Sequence, residues 1–269
     1  MRFKLTLQIN KNVFGNRLPL NYQYEQSALI YRILSRASQE FSLWLHENGF
    51  TLESGKQFKL FTFSRFSVPK YRILPDSAQM ALESDTVTWF ISFLPDISTE
   101  KFVQGLFQQQ TFEIGDKKSV VQFYVRQIEV IPPPVFTDKM VYETLSPVCI
   151  PLKHQNGSVE YIDPNHSRAG ELVMLNLLEK YRVVHKADFP VKDVPFAFTA
   201  LNKPKSVLTT IKSGTPNQTQ LRGFMFRFAF SAPIEQQQLL YETGCGSKNS
   251  LGFGMVKEID VLHSKDEII

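Results

Sequence analysis

Apolar and polar positions alternate from the start of the chain. Phe3, Leu5, Leu7 and Ile9 share one side of Arg2–Asn10, with Arg2, Lys4, Thr6 and Gln8 on the other, the period-two pattern of a half-buried strand. The period turns helical over Tyr24–Ala37, where Leu29, Ile30, Ile33 and Leu34 form a stripe and Asn21 is a candidate cap. A shorter helix, Gln39–His46, is expected to stop at Asn48-Gly49. "FKLFTFSRF" at Phe58–Phe66 and the run Thr86–Phe93 read as strands. Ser98–Gln110 reads as a helix without the acid of a capping box. Val120–Ile131 is a strand whose apolar face shifts between Val125 and Ile128, the mark of a bulge.

"IPPPVF" follows, and three prolines cannot continue a ladder. A domain boundary is expected there, giving units of 1–131 and 136–269. The second unit repeats the theme. A strand at Val141–Ile150 is interrupted at Pro147, and a helix at His166–Arg182 is built on Leu172, Leu175 and Leu177 or Leu178. Strands are expected at Lys205–Lys212 and Leu221–Phe230, a helix at Pro233–Tyr241 and a last strand at Met255–Leu262. Two β-α-β-β-α-β units in tandem define an α+β protein of two ferredoxin-like (RRM-like) domains, a sheet type that often meets RNA. Phe224, Phe226, Phe228 and Phe230 could stack bases, but such a stripe more often forms core and is read so here.

Composition narrows the function. With 269 residues, 43% hydrophobic and 21% charged, the chain is globular rather than disordered. No apolar run approaches the ~20 residues of a membrane span, and the alternating N-terminus is no secretory signal. Cys149 and Cys245 alone make no disulfide framework, so a reducing cytoplasm is expected. A net charge of +4 permits a polyanionic partner without demanding one. From Leu201 to Lys257, however, Lys203, Lys205, Lys212, Arg222, Arg227, Lys248 and Lys257 face only Glu235 and Glu242. An isolated run of this kind would be a solvated face. Here it flanks "GCGSKNSLGFGMV", in which Gly244, Gly246, Gly252 and Gly254 fall within eleven residues around Lys248. That spacing fits neither a dinucleotide fingerprint nor a P-loop. A tight structural turn and a phosphate-contacting nest remain open alternatives.

None of His46, His154, His166, His185 and His263 lies at metal-ligand spacing from another, and no carboxylates gather for a two-metal site. Asp163 and His166 in "DPNHS" read as a helix N-terminal turn. What remains is acid–base chemistry, which suits RNA because its 2′-hydroxyl can attack the neighbouring phosphate. His46, Tyr31 and Lys59 each also have a plainer reading, as a helix-end imidazole, a half-buried phenol and a solvated or snorkelling ammonium.

"NYQYEQSALIYRIL", "LWLHENGF", "FKLFTFSRF", "ETLSPVCI" and "GCGSKNSLGFGMV", in that order, resemble the CRISPR-associated endoribonucleases of the RAMP superfamily that cut the repeats of precursor CRISPR RNA. The resemblance implies a metal-independent, cofactor-free site of Tyr31, His46 and Lys59 that leaves a 2′,3′-cyclic phosphate and a 5′-hydroxyl. Lys59 sits inside the motif, and Lys56 is a second lysine close by. The resemblance also implies that the glycine loop helps hold RNA. The RNA-contacting set expected on this basis is Lys203, Lys205, Lys212, Arg222, Arg227, Gly244, Gly246, Lys248, Gly252 and Gly254. The partners expected are repeat RNA and, further, effector-complex subunits or a second copy of the chain. The alternatives are a non-catalytic RNA-binding subunit of an effector complex and, more distantly, a nucleotide-binding regulator.

Overall fold

The computed structural model describes residues 1–190, 195–213 and 215–259. Strand β1 (Arg2–Ile9) leads through helices α1 (Gln23–Ala37) and α2 (Gln39–Glu47) to strands β2 (Phe61–Phe63) and β3 (Thr86–Phe93). Helix α3 (Asp96–Gln108) and strands β4 (Thr111–Gly115) and β5 (Val120–Ile131) complete the first half. Its antiparallel sheet runs β2-β3-β1-β5-β4. The ladder slips where Thr6 faces Gln127 and Leu7 faces Val125, so Arg126 is the extra residue of the expected bulge.

The second half contains β6 (Lys139–Thr144), α4 (Ala169–His185), β7 (Ala197–Ala200), β8 (Lys205–Ile211), β9 (Thr219–Met225), β10 (Arg227–Ser231), α5 (Ile234–Thr243) and β11 (Val256–Glu258). Its antiparallel sheet runs β7-β10-β6-β11. With the additional edge strand β4 set aside, both halves share the strand order second-third-first-fourth, the ferredoxin-like arrangement. Each half has its own apolar core: Leu5, Ile30, Phe93 and Phe102 in the first, Tyr142, Leu177, Phe228 and Phe230 in the second. Burying such side chains supplies about 1.5–3 kcal/mol apiece. Phe224, Phe226, Phe228 and Phe230 are all buried, as the core reading required.

Several expectations need correction. Leu221–Phe230 is two strands, because the amide of Phe226 donates to Thr144 Oγ1 rather than to a ladder. Consequently β8 and β9 form a separate hairpin, and β7 is the sheet strand that periodicity missed. Phe58–Phe66 is interrupted by Leu60 at φ +54°, and Phe61, Thr62 and Phe63 are all buried instead of alternating. Asn21 caps nothing. Its Oδ1 accepts from the amide of Thr210, and α1 begins without a side-chain cap. Ser98 lies inside α3, and the α4 stripe is Val173, Leu177 and Val183, with Leu175 turned to solvent. Arg2 is buried rather than exposed: its guanidinium lies 3.5 Å over the Tyr241 ring and donates to Val256 O at 2.7 Å, tying β1 to the second half. The expected extension of the last strand to Leu262, and His263, lie outside the described residues.

Candidate functional site

Tyr31, His46 and Lys59 come from three different elements. Tyr31 is on the second half of α1, held half-buried because its neighbours Ile30 and Ile33 enter the core. His46 is in the last turn of α2, exposed, its ring set edge-on to the Tyr31 ring with centroids 5.0 Å apart. Lys59 lies at the break before β2. It is half-buried, and its Nζ donates to the His46 carbonyl at 2.8 Å instead of trailing into solvent. Gly49, which ends α2, leaves room for this: a Cβ there would meet Phe58 O at 2.7 Å and the Lys59 stem at 2.8 Å. Lys56 is tied elsewhere, in an ion pair with Glu179 of α4.

All three line a groove of about 720 Å³ between the halves, together with Asn176 and Lys180 of α4 and residues 247–251. No Asp or Glu among the described residues lines it. Among the described residues, no three His, Cys, Asp or Glu side chains gather as metal ligands. Burial pushes the Tyr31 phenol well above its ordinary value, against a smaller opposing pull from a hydrogen bond with Ser250, so at neutral pH it is a hydrogen-bond donor. Burial also lowers the Lys59 ammonium somewhat.

The glycine loop answers the choice between turn and nest. Gly244, Gly246, Gly252 and Gly254 are buried, all at positive φ, and protein atoms fill the space beside each Cα. The amides of Gly244, Cys245, Ser247, Gly252 and Gly254 donate to Leu240, Gly254, Cys149, Asn249 and Pro147 carbonyls. The burial of the four glycines and these five amide bonds favour close packing of the loop over an open anion nest. The loop is fastened to the first half by Gln23 Nε2 to Gly252 O (2.6 Å), Ser27 Oγ to Ser250 O (2.6 Å) and Thr62 Oγ1 to Phe253 O (3.1 Å). Lys248 remains exposed at the groove.

Lys203, Lys205, Lys212 and Arg222 are exposed on or beside the β8–β9 hairpin, with Arg222 opposite Leu208 on its outward face. The hairpin rests on the start of α1 through Thr209 Oγ1 to Gln23 Oε1 (3.1 Å), so α1 links it to the groove. Arg227 is half-buried and ion-paired with Glu143 at 3.3 Å, a carboxylate that Lys257 also engages at 2.8 Å. Sequence reasoning missed Lys180 and Asn176. A signal existed, because Lys180 falls on the apolar stripe of α4 between Leu177 and Val183.

Two ferredoxin-like sheets that share one core strand order, joined by a cationic groove without carboxylates among its described residues and by a buried glycine loop, define a tandem protein of the RAMP kind. Residues 17–129 match the family described as CRISPR-associated protein Cas6, N-terminal, and residues 131–258 match its C-terminal counterpart. The chain belongs to the Cas6 family of CRISPR-associated proteins. It is 27% identical to CRISPR-associated endoribonuclease Cas6 1 of Methanocaldococcus jannaschii, over 99% of this chain and 96% of that one. It is 27% identical to CRISPR-associated endoribonuclease Cas6 of Pyrococcus furiosus, over 96% and 89%. A solved structure described as a RAMP protein binding different RNA substrates superposes with a TM-score of 0.78 at 25% identity, over 97% and 100%. No helix among the described residues is long and apolar enough to cross a membrane.

Proposed function

We propose that the protein is an endoribonuclease that matures CRISPR RNA by cutting repeat RNA in the groove between its halves. The observation that carries this reading is the convergence of an imidazole, a phenol and an ammonium: ring centroids 5.0 Å apart for Tyr31 and His46, with Lys59 Nζ on the His46 carbonyl. The endoribonuclease names of the relatives support it. The 2′-oxygen attacks the phosphorus, the bond to the 5′ oxygen breaks, and a 2′,3′-cyclic phosphate and a 5′-hydroxyl remain. In this scheme His46 transfers the proton needed at the leaving oxygen. Tyr31, held protonated, orients the 2′-hydroxyl by hydrogen bonding, and the 2′-hydroxyl proton passes to solvent water as its oxygen attacks. Lys59 leaves its carbonyl partner to neutralise charge growing on the phosphate.

Labelled repeat RNA incubated with the protein in excess EDTA tests this. Cleavage with those two termini is expected. Tight binding without cleavage would identify a non-catalytic RNA-binding subunit instead.

The β8–β9 hairpin is proposed to follow the RNA backbone outside the groove. Replacing Lys203 and Lys205 together by alanine is expected to lower the slope of log K against log salt by about 1.5, at ~0.7–0.9 per phosphate contact. An unchanged slope in a binding titration would remove both from the interface.

A further inference from the structure

Lys180 is 1% exposed, yet no carboxylate pairs with it among the described residues. Its Nζ donates to Gly244 O at 2.6 Å and Gly246 O at 3.5 Å, the two carbonyls flanking Cys245. Beyond these carbonyls the chain runs into residues 247–251, which line the groove beside Tyr31, a hydrogen-bond partner of Ser250. One turn earlier on the same face of α4, Asn176 is 5% exposed, and its Oδ1 has no hydrogen-bond partner. Both residues line the groove. A buried cation without a counter-ion, beside a buried amide oxygen without a donor, is costly in an isolated protein. The cost is relieved if the missing partner is a ligand, and in a groove with no acidic lining that ligand is a polyanion carrying hydrogen-bond donors.

We propose that Lys180 is a positioning residue of the cleavage site, an ammonium that holds the Gly244 and Gly246 carbonyls to set residues 247–251 beside Tyr31 and whose counter-ion is a phosphate of the RNA in the groove. The proposal rests on the endoribonuclease reading. It extends that reading by making RNA binding a proton-linked event. In the free protein burial lowers the Lys180 pKa to about 7, with Lys56 adding a smaller push in the same direction and the Cys245 thiol opposing it. Lys56 is itself held by Glu179, and Lys248 and the proposed trio line the same groove. A phosphate brought into the groove favours the charged ammonium and raises its pKa. Protonated Lys180 is therefore the form that binds RNA. The dissociation constant is flat below about pH 6 and weakens as pH rises through 7, by about fivefold between pH 7 and 8 for one such group.

The test uses His46→Ala protein, in which the RNA stays uncut and His46 cannot take up the proton. Repeat-RNA affinity is measured from pH 5.5 to 8.5, alone and combined with Lys180→Met or Lys180→Gln. The roughly fivefold weakening is expected in the parent and its loss in both double variants. In the His46-containing protein, Lys180→Met is expected to slow single-turnover cleavage about tenfold or more at saturating RNA. Lys180→Gln, which keeps a donor for the glycine carbonyls, should retain more of the rate. A lysine with only a structural role would lower the melting temperature and leave the pH dependence of binding in place, which would overturn the proposal. If neither Lys180 variant folds, a flat profile in the His46→Ala parent overturns it, and proton uptake by that protein, measured calorimetrically in two buffers, supports it. Cleavage surviving in His46→Ala would instead sink the catalytic reading.

Discussion

His46→Ala is expected to slow cleavage of repeat RNA by ~10²–10⁴-fold while leaving RNA binding nearly unchanged. The separation of the two effects follows from where the side chain lies. His46 is exposed in the last turn of α2, and the buried residues of that helix are Ser42 and Leu45. Removing the imidazole therefore opens no core cavity. It also leaves Lys59 in place, because Lys59 is held by the backbone carbonyl of residue 46, which alanine retains. The basic hairpin and Lys248, where most phosphate contacts are proposed, are untouched. The loss is then confined to proton transfer in the transition state and should appear in the single-turnover rate at saturating RNA. An equal loss of affinity and rate would assign His46 to binding alone.

The elements legible in the sequence are those whose environment depends on a single neighbouring layer. β1 and β3 alternate because one face of each meets the first core, and α1 shows its stripe for the same reason. The bulge at Arg126 was visible because a slipped ladder moves the apolar face by one residue. Tyr31, His46 and Lys59 could be nominated from the family resemblance. Their separate residue types gave no such lead, since each has a commoner structural use.

The illegible features depend on contacts between the halves. Arg2 sits on the polar face of β1, and polarity alone predicts solvent there. The second half covers that face, however, and supplies the Tyr241 ring and the Val256 carbonyl. Lys180 is the same case in reverse, a cation on an apolar stripe whose partners are backbone carbonyls more than sixty residues away. The break at Leu60 turns Lys59 back toward α2 and lets Phe61–Phe63 enter the sheet buried on both sides. Hydropathy periods carry no signal for a residue that is buried by a distant segment of the chain.

Gly254→Ala is expected to cost on the order of 2–4 kcal/mol of stability and to take much of the cleavage activity with it. Gly254 has φ +80°, and a Cβ there would stand 2.0 Å from Cys245 O and 2.6 Å from Asn249 Nδ2. Neither neighbour can yield cheaply. Asn249 Nδ2 also donates to Phe253 O at 3.0 Å, and the Cys245 amide donates to Gly254 O at 2.8 Å. The strand-like approach of Cys245 to Gly254 would have to open, releasing the loop that walls the groove. Gly157 is the internal control. Its φ is +82°, nearly the same, but a Cβ there meets nothing within 4 Å. Gly157→Ala carries only the backbone cost, about 1 kcal/mol, and should leave cleavage intact. Urea unfolding and single-turnover cleavage of the two variants separate conformational strain from lost space. Equal destabilisation would mean that positive φ alone demands the glycine at 254, and that the close approach of residue 245 contributes nothing.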